Sequence, residues 1–172
     1  MYKYDEYFMK HALKFARLAE IDREVPVGAV LVLNNVIIGQ GSNSSISTHD
    51  PTAHAEIIAL RSGGMFLKNY RLINTTLYVT LEPCSMCYGA IIHSRIFRLV
   101  FGTSYNNKDN GAYFNHNQYG KIKNSKIIIT KNILNKECKN ILKFFFKKKE
   151  KNNYNLNSIL NLFFNNNNSR YM

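Results

Sequence analysis

At 172 residues, with 45% hydrophobic and 20% charged content, the chain is long enough for one domain with a buried core and has a globular composition. No apolar run reaches the roughly 18 residues of a bilayer span. The N-terminal "MYKYDEYFMKHALKF" lacks the apolar segment of a secretory signal, and three cysteines do not make a disulfide framework, so a cytoplasmic protein without membrane contact is expected. The net charge of +12 is unevenly placed: between Lys121 and Lys151, eleven lysines face only Glu137 and Glu150, which points to nucleic acid or, more plainly, to a solvated lysine face in a Lys- and Asn-rich chain.

In chain order, residues 5–20 place Phe8, Ala12, Phe15 and Ala19 at helical spacing and predict an amphipathic helix. The β-branched runs Val27 to Leu33 and Val36 to Ile38, joined across Asn34 and Asn35, predict a hairpin. "SNSSISTHDPT" reads as a loop, and a second helix runs from about Ala53 to Leu67. "TLYVTL", residues 76–81, is a short buried strand, and a third helix starts near Pro83 and runs to about Ser94. "IFRLVFGT" is the next strand, "YNNKDNGAYFNHNQYG" a long polar loop, "KIIIT" (126–130) a last strand, and Leu134 to Lys149 a last helix. A hairpin followed by alternating strands and helices predicts a three-layer α/β/α sandwich around a mixed, partly parallel five-stranded sheet, with the helix-linked strands parallel. Residues 1–150 form one domain in this reading, and 151–172 an Asn-rich tail expected to be largely disordered.

Two short stretches carry the chemistry. In "EPCSMC", Cys84 and Cys87 are three apart, which on a helix sets them about 60° apart around the axis, close enough to grip one ion. Pro83 suits a helix start, and a helix N-terminus stabilises thiolate. A lone Cys-x-x-Cys is ambiguous. A redox pair lacks the thioredoxin-like surroundings, and a structural zinc needs a fourth donor, for which only His49 or Cys138 is on offer at no standard interval. With His54 of "TAHAEIIAL" as third ligand, one tetrahedral position stays open, the pattern of a catalytic zinc. Glu56 lies about 200° from His54 on an ideal helix, awkward for a ligand but suited to a proton carrier if the first turn bends.

His-x-Glu followed by Pro-Cys-x-x-Cys is the known signature of the zinc-dependent nucleobase and nucleoside deaminases. Together with "EVPVGAVLV", "HDPTAHAEIIALR", "NYRL", "LYVTLEPCSMCYGAIIHSRI" and "VFG", it closely resembles the bacterial tRNA-specific adenosine deaminases over roughly residues 5–150. The resemblance implies a cytidine deaminase-like fold and one Zn2+ per subunit held by His54, Cys84 and Cys87, with Glu56 as proton shuttle. By the same likeness Asn43 contacts the target nucleoside, and Val25 and Pro26 line the base pocket. It further implies a homodimer converting the wobble adenosine of a tRNA anticodon stem-loop to inosine, on a base unstacked from a flexible loop.

In that setting "ILKFFFKKKEK" reads as an RNA-binding helix end, with Phe145, Phe146, Lys147, Lys148 and Lys149 as candidate contacts. Aromatics stack on splayed bases and cations meet phosphates, although some of Phe144 to Phe146 must pack on the sheet. The chain departs from the resembled family in the serines flanking Asn43 (42–45), in the loop over 103–118 and in a tail running past the family's usual end; the first two bear on RNA affinity and context preference rather than chemistry. Two other readings remain: a free base or nucleoside deaminase, which needs no basic third, and a zinc-stabilised RNA-binding module, which has no use for Glu56. His11 reads as a helix-surface residue, His93 as a helix-end one, His49 as a loop brace, His116 as a variable-loop residue able to contact phosphate, and Cys138 as a small buried apolar side chain.

Overall fold

The computed structural model describes residues 4–104 and 127–150; the polar loop over 105–120 and the Asn-rich tail lie outside them. Helix α1, Asp5–Ile21, buries Phe8, Met9, Ala12, Ala16 and Ala19 on one face. Phe15 is only half-buried, so Met9 and Ala16 fill the core position expected of it. Strand β1, Gly28–Leu33, turns through Asn34 and Asn35, both left-handed (φ 48° and 62°), as a two-residue hairpin with right-handed strand twist demands. Strand β2, Val36–Ser42, continues four residues beyond the apolar run that marked it in the sequence.

Packing explains that extension. Helix α2, Ala55–Leu67, lies directly on β2, and a Cβ at Gly39 or Gly41 would strike the carbonyl oxygens of Ala59 or Ala55. Here the strand is selected for thinness rather than for β propensity, which disfavours glycine. The chain then forms β3 (Thr76–Leu81), α3 (Ser85–Ser94), β4 (Arg98–Thr103), β5 (Ile128–Thr130) and a last helix α4 over 135–150.

The sheet order among the described residues is β2-β1-β3-β4-β5. β1 is antiparallel to β2 and β3, while β3–β4 and β4–β5 are parallel. The helix-linked strands therefore share one direction, as expected, although β2 and β3 are separated by β1. Alternation along the strands divides the core in two. Ala29, Leu31, Leu77, Val79, Leu99 and Phe101 face α2 and α3. Val30, Val32, Tyr78 and Val100 face α1, in a cluster that also takes in Ile133, just before α4, and Cys138 in its first turn. The expected three layers are present, and burial on both faces accounts for the unbroken apolar strands.

One polar cluster crosses the α1 side. Arg98 donates to both carboxylate oxygens of Asp5 at 2.8 and 2.7 Å, Tyr78 donates its hydroxyl to Asp5, and Arg98 also donates to Thr130 Oγ1. The start of α1 is thereby tied to β3, β4 and β5. No helix of the described residues is long and apolar enough to cross a membrane.

Candidate active site

The expected metal ligands all stand at helix starts, two of them just outside the helices. His54 is the N-cap of α2 with extended backbone (φ −76°, ψ 150°), and Cys84 is the N-cap of α3 (φ −72°, ψ 174°). Their carbonyls accept the first helical bonds from Ile58 and Tyr88, but neither side chain caps its helix. Giving up a side-chain cap costs about 1 kcal/mol per helix; here both side chains are free to turn toward a ligand. Pro83 accordingly sits one residue before the N-cap, not at the first helical position. Cys87 follows on the first turn of α3, fully buried.

His54 Nδ1 lies 3.5 Å from each of the two sulfurs, and the three donor atoms fall within 4.8 Å of one another. One nitrogen and two sulfurs converging at this spacing fit a tetrahedral zinc with one position left over. His49 and Cys138, considered above as a fourth donor, are not in the group. His49 is on an exposed loop, and Cys138 is buried against Gly102 on the opposite face of the sheet.

The electrostatics suit a cation. A hydrogen bond from Cys87, with help from His54, pulls the Cys84 thiol down to about 5. Cys87 is pushed up, first as the partner giving that bond, then by burial and by Glu56. Two sulfurs this close shed one proton readily and the second only against added positive charge, which a dication and the N-terminal dipoles of α2 and α3 provide. Glu56 is 4% exposed, and burial raises its carboxyl to about 7, where it both accepts and releases protons near neutral pH. The geometry also removes the 200° difficulty. Because His54 is not helical, its side chain and that of Glu56 open onto the same space.

That space is a cavity of about 300 Å³ at the carboxyl ends of β2 and β3 and the entry to β1. His54, Glu56 and Cys84 lie on its wall with Asn43 and Val25. Pro26 is buried but does not line it. Val27 lines it instead: its N–H bonds to the Val25 carbonyl at 2.7 Å in a tight three-residue turn centred on Pro26, which leaves Val25 and Val27 on the cavity wall. Glu24 and Glu82 also line the cavity. Neither stood out in the sequence, where an acid beside a strand looks like any solvated acid; only adjacency to "VPVG" and "PCSMC" marked them.

On α4, Lys147, Lys148 and Lys149 are exposed. Phe145 is turned inward and 9% exposed, whereas Phe144 and Phe146 face out. Three consecutive helical positions fan over about 200°, so one must point to the body of the protein. Phe145 is that one, and Phe144 is exposed in its place.

Residues 2–103 match the family of the cytidine and deoxycytidylate deaminase zinc-binding region. The chain is 57% identical over 167 residues to the tRNA-specific adenosine deaminase of Buchnera aphidicola subsp. Baizongia pistaciae, covering 97% of this chain and 99% of the relative. A structure from a study of A-to-I editing by tRNA:A34 deaminases at the wobble position superposes with a TM-score of 0.72 at 36% identity, over 79% of this chain and 99% of that one. A guanine deaminase from Bacillus subtilis superposes with a TM-score of 0.59 at 32% identity, over 72% of this chain and 78% of that one. The architecture is thus shared by enzymes of polymeric and of free substrates.

Proposed function

The chain belongs to the cytidine and deoxycytidylate deaminase zinc-binding family, and from that premise we propose that it deaminates adenosine to inosine at the wobble position of a tRNA anticodon. The observation that carries the chemistry is the convergence of His54, Cys84 and Cys87, two of which line a cavity together with the buried carboxyl of Glu56. The RNA substrate is supported by the near-full-length identity to a tRNA-specific enzyme and by the lysine-rich end of α4.

His54, Cys84 and Cys87 hold the zinc, which when bound supplies the Lewis acidity that makes water nucleophilic near neutral pH. Glu56 takes the proton of the attacking water. The water oxygen bonds to the adenine carbon bearing the exocyclic amine while Glu56 passes the first proton to the ring nitrogen; Glu56 then takes the second proton from the hydroxyl now on that carbon and delivers it to the amine as the C–N bond breaks. Adenosine and water become inosine and ammonia, and the carboxyl ends as it began. Burial suits Glu56 to both halves of this cycle, because a carboxyl near 7 neither holds nor loses its proton too firmly. Val25, Val27 and Leu81 give the base an apolar seat, and Asn43 presents a polar group to its edge.

The enzyme acts in this reading as a homodimer in the cytoplasm. Exposed Met65, Phe66 and Tyr70, beside a groove of about 880 Å³ along α2 and α3, offer an apolar face of the sort a second copy covers. Incubation of the zinc-loaded protein with unmodified tRNA, an anticodon stem-loop and free adenosine or guanosine tests the function. Inosine is expected in the two RNAs only. Turnover of free nucleoside with none in RNA overturns the reading in favour of a small-molecule deaminase, and tight RNA binding without product favours a binding module.

A further inference from the structure

We propose that Glu24 is a positioning residue: its carboxylate fastens the loop over 43–47 to the cavity wall and fixes which way the Asn43 amide faces the bound base. This rests on the reading above, in which the cavity receives a nucleobase.

Glu24 follows the left-handed Arg23 at the end of α1 and is fully buried. Among the described residues no cation pairs with it. Instead Oε1 accepts the backbone N–H groups of Ile46 and Ser47 at 2.7 and 2.8 Å, and Oε2 accepts Asn43 Nδ2 at 3.3 Å. A buried carboxylate is costly unless hydrogen-bonded, so chain closure alone does not call for one here. What it offers is acceptor capacity at both ends. Three donors arrive from two directions, and an amide accepts at only one of its two heads.

The consequence reaches the substrate side. An asparagine amide that is free to flip presents oxygen or nitrogen with little preference. Asn43 is not free, because an acceptor-only partner requires its nitrogen on the Glu24 side. Its second N–H and its carbonyl oxygen make no hydrogen bond among the described residues, and Asn43 lines the cavity with Glu24, Ser45, Ile46 and Glu56. Glu24 therefore sets the donor–acceptor pattern that a base edge meets without touching the base. The backbone N–H of Asn43 bonds to the Val27 carbonyl, so the amide is held from both main chain and side chain.

The test compares Glu24→Gln with the double variant Glu24→Gln/Asn43→Asp, reading zinc content, hydrogen exchange over 43–47, and kcat and KM for inosine formation in an anticodon stem-loop. Glu24→Gln keeps the shape but must set two donors against each other at one end. It is expected to retain zinc, to exchange faster at Ile46 and Ser47, and to lose roughly 10- to 100-fold in kcat/KM, mostly through KM, the scale of a hydrogen bond to a charged group. The double variant restores an internal bond of reversed polarity, so loop protection returns while kcat/KM stays low, because the introduced carboxylate has no N–H for the base. A kcat/KM within twofold of the parent for Glu24→Gln overturns the proposal. So does full recovery in the double variant, which would leave Glu24 as a brace alone. If Glu24→Gln does not fold, Glu24→Asp carries the test by setting both oxygens back one methylene: loosened protection with a raised KM supports the proposal, and loosened protection with unchanged KM overturns it. Absence of inosine from the parent protein would fault the functional reading instead, and the exchange measurement would still judge the tether.

Discussion

Glu56 shows how one residue's role depends on the backbone before it. Its side chain shares the cavity with His54 only because His54 stops short of the helix, leaving Glu56 inside α2 and the ligand outside it. Glu56→Ala is expected to keep its zinc, since none of the three donors is touched, and to lower kcat by on the order of 10²–10⁴-fold. Metal analysis beside an inosine assay checks this, and zinc lost along with activity would make Glu56 a ligand. His54, Glu56, Cys84 and Cys87 were legible in the sequence because few other tasks call for those types at those intervals. Glu24 was not, since its partners are chiefly main-chain amides that any sequence supplies. Pro26 is off the cavity wall for a related reason: a motif marks a segment as pocket-lining, but only the turn that bonds Val27 back to Val25 says which of its residues face in.

At the scale of the element, helices and strands with strong apolar periodicity were readable nearly to their ends, as α1 and β3 illustrate. β2 was cut short because Gly39 and Gly41 carry no apolar signal, although close helix packing is what they serve. The Asp5–Arg98 pair was invisible for another reason: 93 residues separate its members, and an acid at a helix start has a sufficient local explanation in the helix dipole. In the fold both side chains are buried, at 0% and 3% exposure. Asp5→Ala removes the counter-charge of a buried guanidinium, leaving it neutral partners such as Thr130 Oγ1, and is expected to cost about 3–5 kcal/mol in urea unfolding. Replacing both members by apolar side chains of similar volume should cost much less, and equal losses in the single and double variants would show that the pair's charge is irrelevant.

At the scale of the whole chain, charge and the candidate site are separated along the sequence: the cavity beside His54 and Cys84 lies at the carboxyl ends of β2 and β3, while most of the net positive charge lies in the last third of the chain. Triple substitution of Lys147, Lys148 and Lys149 by Gln is expected to weaken binding of the anticodon stem-loop and to flatten the slope of log K against log salt by roughly 0.7–0.9 for each phosphate contact removed. An unchanged slope would assign these lysines to solvent. The glycine track under α2 bears on the metal as well. Gly41 touches no zinc donor, yet a methyl group there meets the carbonyl of Ala55, the residue after His54. A single added carbon on the outer strand would therefore lever the imidazole away from its two sulfurs. Gly41→Ala should release zinc to a chelator at lower concentration than the parent does, a metal-affinity defect seeded in a residue with no chemistry of its own.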